Sequence, residues 1–187
     1  MSYQNFTRNL PVIRGVQAKR EYFVTQLPLQ VVEEFLKFDE AGLPAELRAQ
    51  RGINSQRVPE LANYMVSNRE NYVFSALTAS IGYSGDQIKF KPFDEVPGGP
   101  IGILEIPLTA PILVNDGQHR RAAIIEALKL DPSLRTESIG LVLFMDKGLE
   151  RSQQMFADLN RYAVRPSASI GVLYDHRDPV AGITRTV

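Results

Sequence analysis

A short apolar run, Ile112-Leu113-Val114, passes into Asn115-Asp116-Gly117-Gln118-His119-Arg120-Arg121 and then into Ala122-Ala123-Ile124-Ile125-Glu126-Ala127-Leu128. The first segment has strand character and the last is helical, so the polar stretch between them is a strand-to-helix turn. Gly117 lets the backbone turn tightly or approach a ligand closely. Free N–H groups at a helix start, with the positive end of the helix dipole, favour an anion above the turn. Arg120 and Arg121 add forked donors that match phosphate. The turn therefore reads as a cradle for a phosphate-bearing molecule, either a nucleotide or a nucleic-acid backbone. A plainer reading stands beside it: a capped helix with surface arginines, Asp116 serving as the N-cap.

Within the cradle reading each residue has an expected part. Gln118 and the local backbone position the ligand, and Arg120 is the main anion contact. His119 can donate to phosphate or move a proton near neutral pH, or make a structural hydrogen bond. Asp116 can hold a magnesium ion on a nucleotide, although capping suits it better. Ile53-Asn54-Ser55-Gln56-Arg57 precedes another helix. With Arg48 and Arg51 this is the most locally basic stretch and a candidate for DNA phosphate contact. His176, between Asp175 and Arg177, reads as a surface or interface residue, and no metal-ligand spacing is present. Asp94-Glu95 lies in a loop and does not read as a catalytic dyad.

Composition narrows the chemistry. With 21 basic and 21 acidic residues the formal net charge is zero, which argues against coating DNA by bulk charge but leaves room for a local patch. Cysteine is absent, so the chain itself offers no disulfide, cysteine-zinc site, thiol nucleophile or persulfide carrier. The 187 residues are 44% hydrophobic, enough for a core and suited to one domain. No stretch approaches the ~20 apolar residues of a membrane span. The N-terminus lacks a signal pattern, and a cytoplasmic location is the expectation.

Along the chain, 12–17 and 21–27 are β-rich and joined at Ala18-Lys19-Arg20 as a hairpin. Pro28 is expected to open a helix with Leu29, Val32, Phe35 and Leu36 on one face, ending at 41–44; 46–51 is a short helical piece. Asn54 or Ser55 caps a further helix whose face is Val58, Leu61, Ala62, Met65 and Val66, with Pro59 in its first turn. Strands are expected at 72–81 (central), 87–90, 101–106, 112–114 and 139–144. The motif helix runs from Gly117 to Leu130 and stops at Asp131-Pro132. A helix from Glu150 to about Asn160 turns Met155, Phe156 and Leu159 inward, and Ser167 caps a last one. The order implies an α+β domain, a mixed sheet with helices packed on it, spanning 1–187 and shortened at its C-terminus.

Asp116-Gly117-Gln118-His119-Arg120 resembles the signature of DGQHR-domain proteins. Gln154-Met155-Phe156-Ala157-Asp158-Leu159-Asn160-Arg161-Tyr162-Ala163-Val164-Arg165-Pro166 is similar to the second block of one branch, the DndB family of DNA sulfur modification proteins, and the likeness runs from Leu10 to Arg185. The resemblance implies an accessory DNA-binding regulator of a bacterial phosphorothioation system. It also implies that Asn160 and Arg161 face the motif turn across a cleft, and that Gln56 and Arg57 supply a polar side of the same pocket; the plainer readings are a polar helix end for the first pair and a solvated helix start for the second. The turn more remotely resembles that of the ParB/sulfiredoxin superfamily, which implies that fold and nucleotide binding; sulfiredoxin activity is not implied, because its cysteine is missing. Three functions follow: a DNA-binding regulator, a module that binds or hydrolyses a nucleoside triphosphate with magnesium, or an assembly component for other phosphorothioation or restriction proteins. A homo-oligomer without membrane contact is expected. No Walker A loop, helix-turn-helix signature or zinc finger is present.

Overall fold

The structure is a computed structural model that describes residues 6–36, 56–82, 87–93, 99–146 and 154. These contain β1 (Thr7–Gln17), β2 (Arg20–Pro28), α1 (Val32–Phe35), α2 (Arg57–Ser67), β3 (Leu77–Gly82), β4 (Lys89–Pro92), β5 (Ile101–Pro107), β6 (Ile112–Asp116), α3 (Gln118–Leu130) and β7 (Ser138–Asp146). Tight 3-10 turns at Leu29–Val31 and Pro132–Thr136 lead into α1 and β7. The elements fall in one compact unit, Met1–Phe156; a second, Ala157–Val187, lies outside the described residues.

The strands form one seven-stranded sheet in the order β4-β5-β1-β2-β7-β3-β6. Neighbours are antiparallel except β3 and β7, which run parallel, so the fold is α+β with a mixed sheet, as expected. The inward residues of the strands, among them Phe23, Leu27, Leu77, Ile81, Leu104, Val114 and Leu141, share one buried cluster with Val32, Leu36, Met65 and Ile124 of the helical segments. Burial of each large apolar side chain of this kind stabilises by about 1.5–3 kcal/mol. The edge strand β4 is short and carries Lys89, Lys91 and Pro92, a composition that discourages further pairing.

The hairpin forms where the alternating pattern places it, with Ala18 and Lys19 as a two-residue turn. Pro28, expected to open a helix, is instead the last residue of β2. The Leu29–Val31 turn intervenes before α1. The apolar face Leu29, Val32, Phe35 and Leu36 is nevertheless buried, because the 3-10 turn keeps the side chains on the sheet side. Helix α2 buries Ala62 and Met65. Its N-cap position falls on Gln56 and not on the expected Asn54 or Ser55, which lie outside the described residues.

The strand expected over 72–81 pairs only from Leu77 onward. Ahead of it, Tyr72 donates its hydroxyl to Glu137, and Phe74 packs against Tyr64 and Tyr72, so this stretch is held by side chains rather than by a ladder. Strand β3 then lies one place in from the sheet edge, between β7 and β6. The helices expected at 46–51, 150–160 and after Ser167 fall outside the described residues, apart from Gln154, which is helical.

Candidate phosphate-binding site

Strand β6 delivers the motif to the sheet edge. A register shift opposite Thr78 and Ala79 leaves Asn115 turned inward, fully buried, where its amide donates to Ser80 Oγ at 2.8 Å. Asp116 pairs with Thr78 as the last residue of β6. Gly117 follows at φ 94°, ψ 20°, in the left-handed region that glycine enters without strain. A Cβ there would meet Leu77 Cδ2 at 2.5 Å and Arg120 Nη2 at 2.9 Å. The glycine is thus required by both conformation and space.

Helix α3 starts with Gly117, not Asp116, at the N-cap, and no side chain caps its first turn. The expected capping role of Asp116 is corrected accordingly. Its carboxylate lies 2.5 Å from Arg120 Nη2, one helical turn on. A charged fork is a stronger partner than a backbone amide, so the acid turns to the guanidinium and leaves the helix start uncapped. Arg120 also donates to Ser75 Oγ and is only 20% exposed. It ties the approach to β3, the end of β6 and the start of α3 into one rigid turn.

Arg121 leans the other way. Its Nη2 donates to the Glu33 backbone carbonyl at 3.4 Å, and burial lowers its pKa, partly offset by the Glu33 charge. Buried side-chain nitrogens without a hydrogen-bond partner among the described residues are Gln118 Nε2, Arg120 Nε, Arg121 Nε and Arg8 Nη1. All but the last crowd the first turn of α3. Unsatisfied buried donors are uncommon in native proteins, and a bound water, ion or ligand is one source of the missing acceptor.

Helices α2 and α3 run side by side in the same direction. Arg57, at the start of α2, lies close enough to His119 to depress its pKa, whereas Arg69, just past the end of α2, meets Asp131 at 2.6 Å just past the end of α3. The positive ends of both dipoles therefore point the same way. Burial of the ring is the larger cause of the low His119 pKa, and the Arg57 charge adds to it. Arg57 is exposed and forms no ion pair with another described residue. Gln56 holds the N-cap position of α2 without a side-chain cap. Between the helices lies a cavity of about 400 Å³ lined by Val58, Pro59, Arg121, Ala122, Ile125, Glu126 and Lys129.

The structure thus gathers Asp116, Gly117, Gln118, His119, Arg120, Arg121, Gln56 and Arg57 at one end of the helix pair. Asn160 and Arg161, and the basic Arg48 and Arg51, lie outside the described residues. Sequence reasoning misses Ser75 and the Glu33 carbonyl, which hold the two arginines from far along the chain; nothing local to either position marks that contact.

A family model described as DndB, DNA-sulfur modification-associated, matches residues 10–187. Comparison with curated proteins and with solved structures gives no match. The family match spans the motif turn, the helix pair and all of the sheet but the start of β1, so the chain belongs to the DndB family of DNA-sulfur modification-associated proteins.

Proposed function

We propose that the chain is an accessory DNA-binding regulator of a bacterial DNA phosphorothioation system, and that the paired starts of α2 and α3 hold a backbone phosphate. The observation that carries this reading is the placement of Arg57 beside His119 at two co-directed helix starts, with Arg121 in the same first turn of α3, where donor nitrogens of Gln118 and Arg121 lack acceptors among the described residues. A phosphate is fixed by donors from more than one direction, and two helices supply them here. Arg120, engaged with Asp116 and Ser75, holds the turn in shape and offers its Nε rather than its fork. We also propose a ParB/sulfiredoxin-like fold, a reading supported by the strand-turn-helix arrangement of the motif residues.

One feature favours a second reading, a nucleoside triphosphate as the ligand. The cavity beside Arg121 has apolar walls, Val58, Pro59, Ala122 and Ile125, with room for a base or sugar next to the phosphate donors. The two readings separate in one experiment. Labelled duplex DNA and each nucleoside triphosphate are titrated into the protein and into Arg57→Ala/Arg121→Ala. Regulation through DNA predicts duplex binding that the double variant loses. Undiminished duplex binding by the variant would remove the site from the DNA interface. Nucleotide binding alone, lost in the same variant, would favour the second reading.

A further inference from the structure

At the opposite end of the sheet from the β1–β2 turn, the seam between these strands is open. They pair from Gln17↔Arg20 to Ile13↔Val24 and no further, although β1 continues down to Thr7 against β5 and β2 continues to Pro28 against β7. Extending the register places Pro11 opposite Gln26 and Asn9 opposite Pro28. Gln17, Gly15 and Ile13 turn their backbone groups toward β2, so the next residues due to do so are Pro11 and Asn9. Pro11 has no N–H to give, and Pro28 has none to return. The Pro11 carbonyl does face β2, since it accepts from Thr25 Oγ at 2.8 Å. Two prolines at consecutive hydrogen-bonding positions thus part an interior seam of the sheet.

The parted seam is a cavity of about 860 Å³ lined from both strands by Arg8, Leu10, Gln26 and Leu27, and at its sides by Phe35 and Leu108. That volume suits a small organic molecule. Among the described residues, Arg8 carries the only positive charge on its wall. The guanidinium lies 5.5 Å from the centre of the Phe35 ring, and burial pushes its pKa down. Its Nη1 is buried without an acceptor among the described residues. Glu34 stands on the rim, exposed, and forms no ion pair with Arg8 among the described residues. A partly buried cation with an unused donor, set beside apolar side chains, is stabilised by an anion brought to it.

We propose that this seam cleft is a second ligand site, one that takes a small organic anion with an apolar body. Its carboxylate or sulfonate head pairs with Arg8, and its body lies against Leu10, Leu27, Phe35 and Leu108. The site is separate from the motif turn and does not depend on the role assigned there.

The test uses two fluorescent dyes of like shape: anilinonaphthalene sulfonate, which is anionic, and phenylnaphthylamine, which is neutral. The protein should bind the sulfonate saturably with one site per chain, and more tightly than its neutral twin. Arg8→Gln should weaken the sulfonate about tenfold or more, the loss of one charge-assisted hydrogen bond, while leaving the neutral dye unchanged. Leu108→Trp, which keeps Arg8 and narrows the cleft, should weaken both; circular dichroism verifies that each variant is folded. The proposal is overturned if the protein shows no saturable binding, if folded Arg8→Gln holds the sulfonate as tightly as before, or if folded Leu108→Trp binds both dyes as tightly as before.

Discussion

Gly117 is the residue on which the motif turn depends. Alanine there would bring the strain of the left-handed region and press its Cβ between Leu77 and the Arg120 guanidinium. Gly117→Ala should therefore cost about 1–3 kcal/mol of stability and loosen the Asp116–Arg120 pair. A urea titration measures the first, and a change below about 0.5 kcal/mol would contradict the role assigned to the glycine. His119 gives a second prediction at this scale. Its pKa lies below the ordinary value near 6.5 because the ring is partly buried and Arg57 stands close. The unfolded chain then binds the proton more readily than the folded one. The stability due to the neutral ring is complete above pH 6.5 or so and declines as pH falls from there through the lowered pKa. An anion bound between Arg57 and His119 reverses both the charge and the sign. Sulfate should raise the His119 pKa, and sulfate affinity should increase as the solution is acidified through the same range. Following the imidazole protons by NMR with and without sulfate tests this; identical titration curves would place the anion elsewhere. The glycine, the arginines and the histidine of this turn are all readable in the sequence, because their chemistry is local. Asp116 reads wrongly as a cap because two partners compete for one carboxylate, and only the folded geometry ranks a guanidinium one turn away above the amides beside it. Ser75, which completes the Arg120 network, is a serine like any other until β3 and α3 are brought together.

At the scale of elements, the periodic segments are legible and the exceptions have identifiable causes. The alternation of β1 and β2 and the apolar face of α2 place those elements, since each face is defined by residues close in sequence. The 72–76 stretch has the composition of a strand but forms no ladder, because Tyr72 and Phe74 find partners in Glu137 and Tyr64. Pro28 looks like a helix start since proline suits both the first turn of a helix and the end of a strand. The hairpin turn holds a further expectation. Ala18 at φ 50° and Lys19 at φ 62° both occupy the left-handed region, as the favoured two-residue hairpin turn demands, without the Asn-Gly pair that enters it most readily. Replacing Ala18-Lys19 by Asn-Gly should stabilise the domain by about 1 kcal/mol, given the roughly 1–2 kcal/mol cost of that conformation for an ordinary residue. A higher urea midpoint at unchanged slope would show it. An unaltered midpoint would mean that Ala18 and Lys19 carry no strain in the folded chain.

The whole molecule has 21 basic and 21 acidic residues and no excess charge, so any grip on DNA must come from where the charges are placed. The fold places several acids against bases: Asp116 against Arg120, Asp131 against Arg69, Glu105 against Lys91 and Glu21 against Arg14. Arg57 and Arg121 are left outside these ion pairs, at the same end of two parallel helices. This segregation is not visible in composition, since it arises only when the two helices lie side by side. It predicts weak long-range attraction to DNA but a salt dependence set by a few defined phosphates. Removing one side chain that neutralises a phosphate lowers the slope of log affinity against log salt by about one. Arg57→Ala and Arg121→Ala should each lower the slope by about that amount, while Lys91→Ala, whose charge is already paired with Glu105, should leave it unchanged. The free energies should also couple: if both arginines hold one phosphate, removing the second after the first costs less than removing it alone. Titration of labelled duplex over a salt series, with the double variant closing the cycle, measures both quantities. Additive losses in a well-folded protein would assign the two arginines to different phosphates, and an unchanged slope in all three variants would move the DNA interface to another face.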